Sequence, residues 1–150
     1  GFTKIESEPN FHLVIANSNI EHSTESIVSG VKQFKDENKE KFSKLCDDES
    51  KLIKDVLQLL KENNIQELGQ KIILNQNYLE VIGISNKKLR DMIIVGQKSS
   101  FGAKITGAGG GGCIFCLTDE SNLQNTINEF KGKDYECFAV KIDFKGLDTF

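Results

Sequence analysis

Residues 104–117, KITGAGGGGCIFCL, place five glycines within six consecutive positions between two apolar, β-branched stretches. A tight turn between strands needs one or two glycines for positive φ, and each further glycine raises the entropic cost of ordering the loop. The stretch therefore constrains the fold to a strand–loop–strand unit here, and its bare backbone serves something beyond turning.

On either side of that unit the hydrophobic period sorts the chain into elements. NFHLVIA, Asn10 to Ala16, is short, apolar and bounded by Pro9 and by Asn17, Ser18 and Asn19, which predicts a strand. Ser23 or Thr24 caps a helix with Glu25 and Ser26 in its first turn and Ile27, Val28, Val31 and Phe34 at helical spacing. DDESKLIKDVLQLLKENN is amphipathic, with Leu52, Ile53, Val56, Leu57, Leu59 and Leu60 on one broad face. A third helix is predicted from Ile65 to Val81, broken by Gly83, and Ser85 then caps a fourth whose Leu89, Met92, Ile93 and Gly96 face a neighbour. GAKIT and CIFCL flank the glycines as strands. DESNLQNTINEFKGK is a capped helix with Leu123, Ile127 and Phe130 inward, and YECFAVKID alternates as a last strand. The order β-α-α-α-α-β-β-α-β predicts an α+β fold: a ferredoxin-like, antiparallel four-stranded sheet with helices packed on one face and extra helices inserted. At 150 residues, one domain spanning 1–150 is expected.

Acids and bases are mixed along the chain with a formal net charge of -3, so there is no basic footprint for nucleic acid. No apolar run approaches the roughly 20 residues needed to cross a bilayer, and no secretory leader pattern opens the chain, so a cytoplasmic location off the membrane is expected. Cys46, Cys113, Cys116 and Cys137 are too few and too irregular for a secreted disulfide scaffold. Cys113 and Cys116 form a C-x-x-C that would suit a redox or zinc pair. No second such pair exists, His12 and His22 lie far off in sequence, and strand positions three apart diverge, so buried small hydrophobes are expected and no metal site.

The known phosphate-loop designs can be tested in turn. Gly107, Gly109 and Gly112 satisfy G-x-G-x-x-G, but the dinucleotide fingerprint opens a helix, whereas a strand follows here. No Gly-Lys-Ser/Thr ends the run, which removes a Walker A loop. The protein-kinase loop also lies between strands, and Ala139 to Lys141 mimics its strand lysine. A helix separates the two pieces, however, and no H-R-D or D-F-G follows.

The whole string Lys104 to Cys113, K-[IL]-T-G-A-G-G-G-G-C, resembles the third sequence motif of the GHMP kinases, and its quadruple glycine and terminal cysteine are most similar to the mevalonate kinase branch. NQNYLEVIGISNKKL, Asn75 to Leu89, resembles the helix, glycine and serine segment that precedes the loop there. NSNIEHSTESIVSGV, Asn17 to Val31, resembles the segment that begins the carboxy-terminal half. The resemblance spans about residues 11 to 118.

The resemblance implies an ATP-facing loop made of Lys104, Thr106, Gly107, Ala108, Gly109, Gly110, Gly111 and Gly112, closing over the nucleotide and supporting the phosphate loop of another domain. Exposed N–H groups in a side-chain-free loop form a concave anion site, which agrees with such a role. Lys104 either adds positive charge or is simply solvated, and Thr106 either hydrogen-bonds a phosphate or caps the strand end. His22, Ser23 and Thr24 resemble the part lining the acceptor pocket, with His22 where an arginine is common, which replaces a permanent bidentate cation by a pH-dependent one. Glu21, Asn75 and Asn77 are explained equally well by capping and interhelical hydrogen bonds.

The family's P-x-x-x-G-L-G-S-S-A loop, catalytic aspartate, lysine and magnesium carboxylate belong to an amino-terminal domain, and none of those motifs occurs here. The expectation is a carboxy-terminal domain cut from a longer kinase, consistent with the Gly1 start, holding no catalytic residue and inactive alone. Its intact form would use ATP and Mg2+ to phosphorylate a small hydroxy acid, mevalonate to 5-phosphomevalonate, with phosphomevalonate kinase or another GHMP kinase as alternatives. The amino-terminal domain of the same protein is then its partner, and homodimerisation stays open. From a different class, a stand-alone ferredoxin-like module binding a small anion also fits. Valine at Gly110 and Gly111 is expected to weaken ATP use while leaving the fold intact.

Overall fold

The computed structural model describes residues 10–142; the Gly1 start, Pro9 and Asp143 of the expected last strand lie outside the described residues. The elements run β1 (His12–Asn17), α1 (Thr24–Glu37), α2 (Lys39–Glu62), α3 (Ile65–Val81), α4 (Lys87–Gly96), β2 (Gly102–Ile105), β3 (Cys113–Thr118), α5 (Glu120–Lys131) and β4 (Glu136–Lys141). The strands form one antiparallel sheet in the order β2-β3-β1-β4, the ferredoxin-like arrangement expected. β1 therefore lies inside the sheet, with Val14 opposite both Cys116 and Ala139.

The strand alternation sends Val14, Ala16, Ala103, Ile105, Ile114 and Cys116 to one face, where they meet Leu89, Met92 and Ile93 of α4 and Phe130 of α5 in the main core. Gly96 lets α4 approach closely, since a Cβ there would stand 2.4 Å from Cys116 Sγ. The long α2–α3 hairpin packs elsewhere. It covers Leu117 and Leu13 on the second face through Leu68, Val56 and Leu60, in a smaller cluster with Phe11. α3 lies along the edge strand β2 by direct backbone contact, the Cβ position of Gly102 falling 2.3 Å from Gly69 O. That contact is continued by Gln76 of α3, 3 % exposed, whose side-chain oxygen accepts the Ile105 N–H at 3.0 Å. An edge strand has outward amides with no strand partner, and a buried one must find another acceptor.

Three local readings are corrected. The amphipathic helix expected from residue 47 begins at Lys39, because KEKFSKLC, polar on most positions, still carries Phe42 and Leu45 at helical spacing. Asn86, not Ser85, caps α4: its side chain accepts the Leu89 N–H at 2.9 Å. In α1 the expected apolar face buries none of its residues, and Val28 is 59 % exposed. Ser23 does cap α1, accepting the Ser26 N–H at 3.3 Å.

Candidate functional site

Between β2 and β3 the glycine run forms a loop that continues into a strand and not into a helix. Gly107 is exposed, whereas Gly109 and Gly111 are buried. Positive φ at Gly107, Gly109, Gly110 and Gly112 explains four of the five glycines, since side chains with a Cβ rarely adopt that region. Space explains the fifth: a Cβ on Gly111 would meet Ile20 O at 2.4 Å.

The loop is pinned to two distant segments. The Gly110 N–H donates to Ile84 O at 2.7 Å, and the Asn86 side-chain amide donates to Gly110 O at 2.8 Å. The Gly112 N–H donates to Ile20 O at 3.2 Å, and the Ser18 N–H donates to Gly112 O at 2.8 Å, extending the β1–β3 ladder beyond the strands. Among the described residues, the amides of Gly107, Ala108, Gly109 and Gly111 make no hydrogen bond. Of these, exposed Gly107 and half-buried Ala108 are the loop's accessible donors, whereas Gly109 and Gly111 are buried.

The structure brings residues of the segment 17–24 against the loop, a contact that the sequence reading does not include. His22 Nδ1 lies 3.0 Å from the Cβ position of Gly111 and its Cε1 lies 3.4 Å from that of Gly112, so the imidazole rests on bare backbone. Ile27 of α1 packs on Gly110, with Cδ1 2.5 Å from a Cβ built there. Ser23 is engaged as the α1 cap, and Thr24 is the exposed first residue of that helix. The two alternatives for Thr106 separate: its hydroxyl and its N–H both donate to Cys113 O at 3.0 Å, closing the end of the β2–β3 ladder. Valine at Gly110 or Gly111 would displace Ile27 or Ile20, so the expectation of an intact fold there is withdrawn.

Lys104 is parted from the loop by the pleat. It pairs with Phe115 across β2–β3 on the second sheet face, and its ammonium lies 5.8 Å from the centre of that ring. Burial lowers its pKa from the ordinary lysine value, with Glu49 opposing weakly. Asn75 donates to Glu49 at 2.7 Å, an interhelical role, and Gln76, Asn86, Ser18 and Ile84 are the positioning residues that sequence reasoning missed. Cys113 and Cys116 are both free thiols, and burial pushes the Cys116 thiol up to about 12. Among the described residues no group of three or more His, Cys, Asp or Glu could hold a metal ion. None of their helices is long and apolar enough to cross a membrane.

The site is thus a glycine loop with unengaged amides and a neighbouring histidine, presented at one end of a ferredoxin-like sheet. The family model described as GHMP kinases C terminal matches residues 56–136, more than half of the chain, and the chain belongs to that family. Over 97 % of its length it is 29 % identical to the mevalonate kinase of Candida albicans, of which it covers 36 %. Its fold matches the crystal structure of L. major mevalonate kinase in complex with R-mevalonate at TM-score 0.86 and 22 % identity, covering 94 % of this chain and 45 % of that one. Streptococcus pneumoniae phosphomevalonate kinase, in complex with phosphomevalonate and AMPPNP, is similar at TM-score 0.79 and 16 % identity, over 93 % of this chain and 42 % of that one. The chain thus spans less than half the length of each of these relatives.

Proposed function

We propose that this chain is the carboxy-terminal domain, 1–150, of an ATP-dependent kinase that phosphorylates mevalonate, and that residues 106–112 face the nucleotide. Family membership and the identity to mevalonate kinases support the reaction. The single observation that carries the loop's part is the pair of accessible, unengaged amides at Gly107 and Ala108, next to a backbone pinned at Gly110 and Gly112. Such donors are fixed before charge arrives, so stabilising phosphate oxygens requires little reorganisation. His22, Ser23 and Thr24 form the adjoining wall on the acceptor side. The reaction joins the substrate hydroxyl oxygen to the γ-phosphorus, breaks that phosphorus's bond to the β–γ bridging oxygen and releases ADP. The hydroxyl proton, the metal and the groups aligning the nucleophile are assigned to an amino-terminal domain of the intact protein, because the residues described here do not fit Mg2+. By itself this chain turns over no ATP. Its free thiols support a cytoplasmic setting.

The test is Gly107→Val in the intact protein, assayed against mevalonate, phosphomevalonate and other small hydroxy acids. A Cβ on Gly107 meets nothing within 4 Å, so the packing behind the loop is spared while bulk and strained φ enter the anion's side. We expect kcat/KM for ATP to fall about a hundredfold, the size of losing a fixed donor, with the KM for mevalonate little changed. Unchanged use of ATP removes the loop from the mechanism. Turnover of phosphomevalonate in place of mevalonate transfers the chain to that branch of the family.

A further inference from the structure

On the second sheet face, away from the glycine loop, lies a groove of about 430 Å³. Its floor is Leu13, Phe115 and Leu117, and α2 supplies Leu52 and Val56 as a wall. The volume falls within the range of about 300–1,000 Å³ usual for small-molecule sites. Three charged side chains line it. Lys71 is paired with Asp55 at 2.6 Å, and Glu49 accepts a hydrogen bond from Asn75 at 2.7 Å. Lys104 is different: among the described residues its ammonium has no hydrogen-bond acceptor and no carboxylate within ion-pair distance; the Phe115 ring lies beneath it, and Glu49 acts on it from beyond that distance without outweighing its burial.

A half-buried, unpaired cation against apolar walls is disfavoured unless something supplies the opposite charge, and its lowered pKa reports the same desolvation. A purely apolar occupant would deepen that penalty by removing the water that remains. A peptide or a purely polar anion would leave the leucine and phenylalanine surface without a partner. We propose that this groove binds a small amphipathic anion, its carboxylate or phosphate-monoester head on Lys104 and its apolar chain along Leu13, Phe115, Leu117 and the α2 wall. The site is separate from the nucleotide loop, because no residue of 106–112 lines the groove. It stands whether or not the kinase reading does.

The test is calorimetric titration of the chain with decanoate, decyl phosphate and decan-1-ol, repeated on Lys104→Met, which keeps the apolar stem and removes the charge. Saturable one-to-one binding of at least one anion is expected, with decan-1-ol weaker by about tenfold or more, the smaller end of what a lost charge-assisted hydrogen bond gives. Lys104→Met should reduce anion binding by a similar factor and leave decan-1-ol unaffected. The relative affinity of the two anions tells a carboxylate head from a phosphate one. The comparison of alcohol with acid uses the unaltered chain, so it decides the matter even if the variant folds poorly. Equal binding of alcohol and anion, an unaltered affinity in Lys104→Met, or no binding at all overturns the proposal. No binding together with sedimentation as a dimer assigns the groove to a second copy, which overturns it too.

Discussion

Replacing Gln76 with leucine tests the link between the α3 packing and the glycine loop. Gln76 is 3 % exposed and makes two hydrogen bonds: its oxygen accepts the Ile105 N–H at 3.0 Å and its nitrogen donates to Glu80 at 2.7 Å. Ile105 is 1 % exposed and is the last residue of β2 before the loop. Leucine fills a similar volume and leaves that amide without an acceptor, a loss of about 1–3 kcal/mol. Additional apolar burial returns up to about 1 kcal/mol, for a net of about 1.5 kcal/mol. In a chain of this length that lowers Tm by about 3–6 °C. Urea denaturation gives the stability, and hydrogen exchange at the Ile105 amide gives the location. Gln124→Leu, which removes only an exposed i,i+4 contact to Asn128, is the control and should stay within about 0.5 kcal/mol. An unaltered midpoint with Ile105 still protected would refute the reasoning that Gln76 closes the edge of the sheet.

Asn86→Ala removes the α4 cap and the tether to Gly110 O together, so a loss of about 1–2 kcal/mol is expected, with the Gly110 amide exchanging faster. Thiol titration of the folded chain at neutral pH should modify exposed Cys46 first and Cys116 only on unfolding, since burial holds the latter protonated up to about 12. The same raised value sets a pH dependence: above about pH 9 the unfolded chain releases a proton that the folded chain retains. Stability should therefore decline as pH rises from about 9 towards 12, and Cys116→Ala should flatten that decline.

The order of elements was legible because most carry their own period and caps: Ile65–Val81 is bounded as expected, and Ser23 caps α1. The start of α2 was not, because a charged stretch with few apolar residues reads as a loop until its helix packs on a neighbour. Asn86 was passed over for Ser85 because both residue types cap equally well and only the backbone geometry separates them. In the site, the glycine run between two strands was readable, and its contact with residues 17–24 was not. The partners of the loop were not, since Ile84 and Ile20 contribute main-chain oxygens, which leave no mark in side-chain identity. Lys104 was placed with the loop because it matches the lysine of the resembling motif, while the two-residue period of β2 turns its side chain to the second face.

The density of glycine acquires a physical meaning from this arrangement. Five glycines in six positions, interrupted only by Ala108, lose more conformational entropy on ordering than residues with side chains would, and a loop meant only to flex would need no such composition. Here the entropy is opposed by hydrogen bonds from Gly110 and Gly112 to segments that the core itself holds, Ile84 ahead of α4 and Ile20 after β1. Those bonds form only because no Cβ intervenes: at Gly109 one would stand 2.4 Å from Ile84 O, and at Gly111 one would stand 2.4 Å from Ile20 O. The glycines thus let two segments approach the loop and fix it, while the amides of exposed Gly107 and half-buried Ala108, ahead of the first anchor, stay unengaged. A side chain at Gly109 or Gly111 would fail by displacing the anchoring segments before it ever met a ligand, so at those two positions glycine is required by the rigidity of the loop itself.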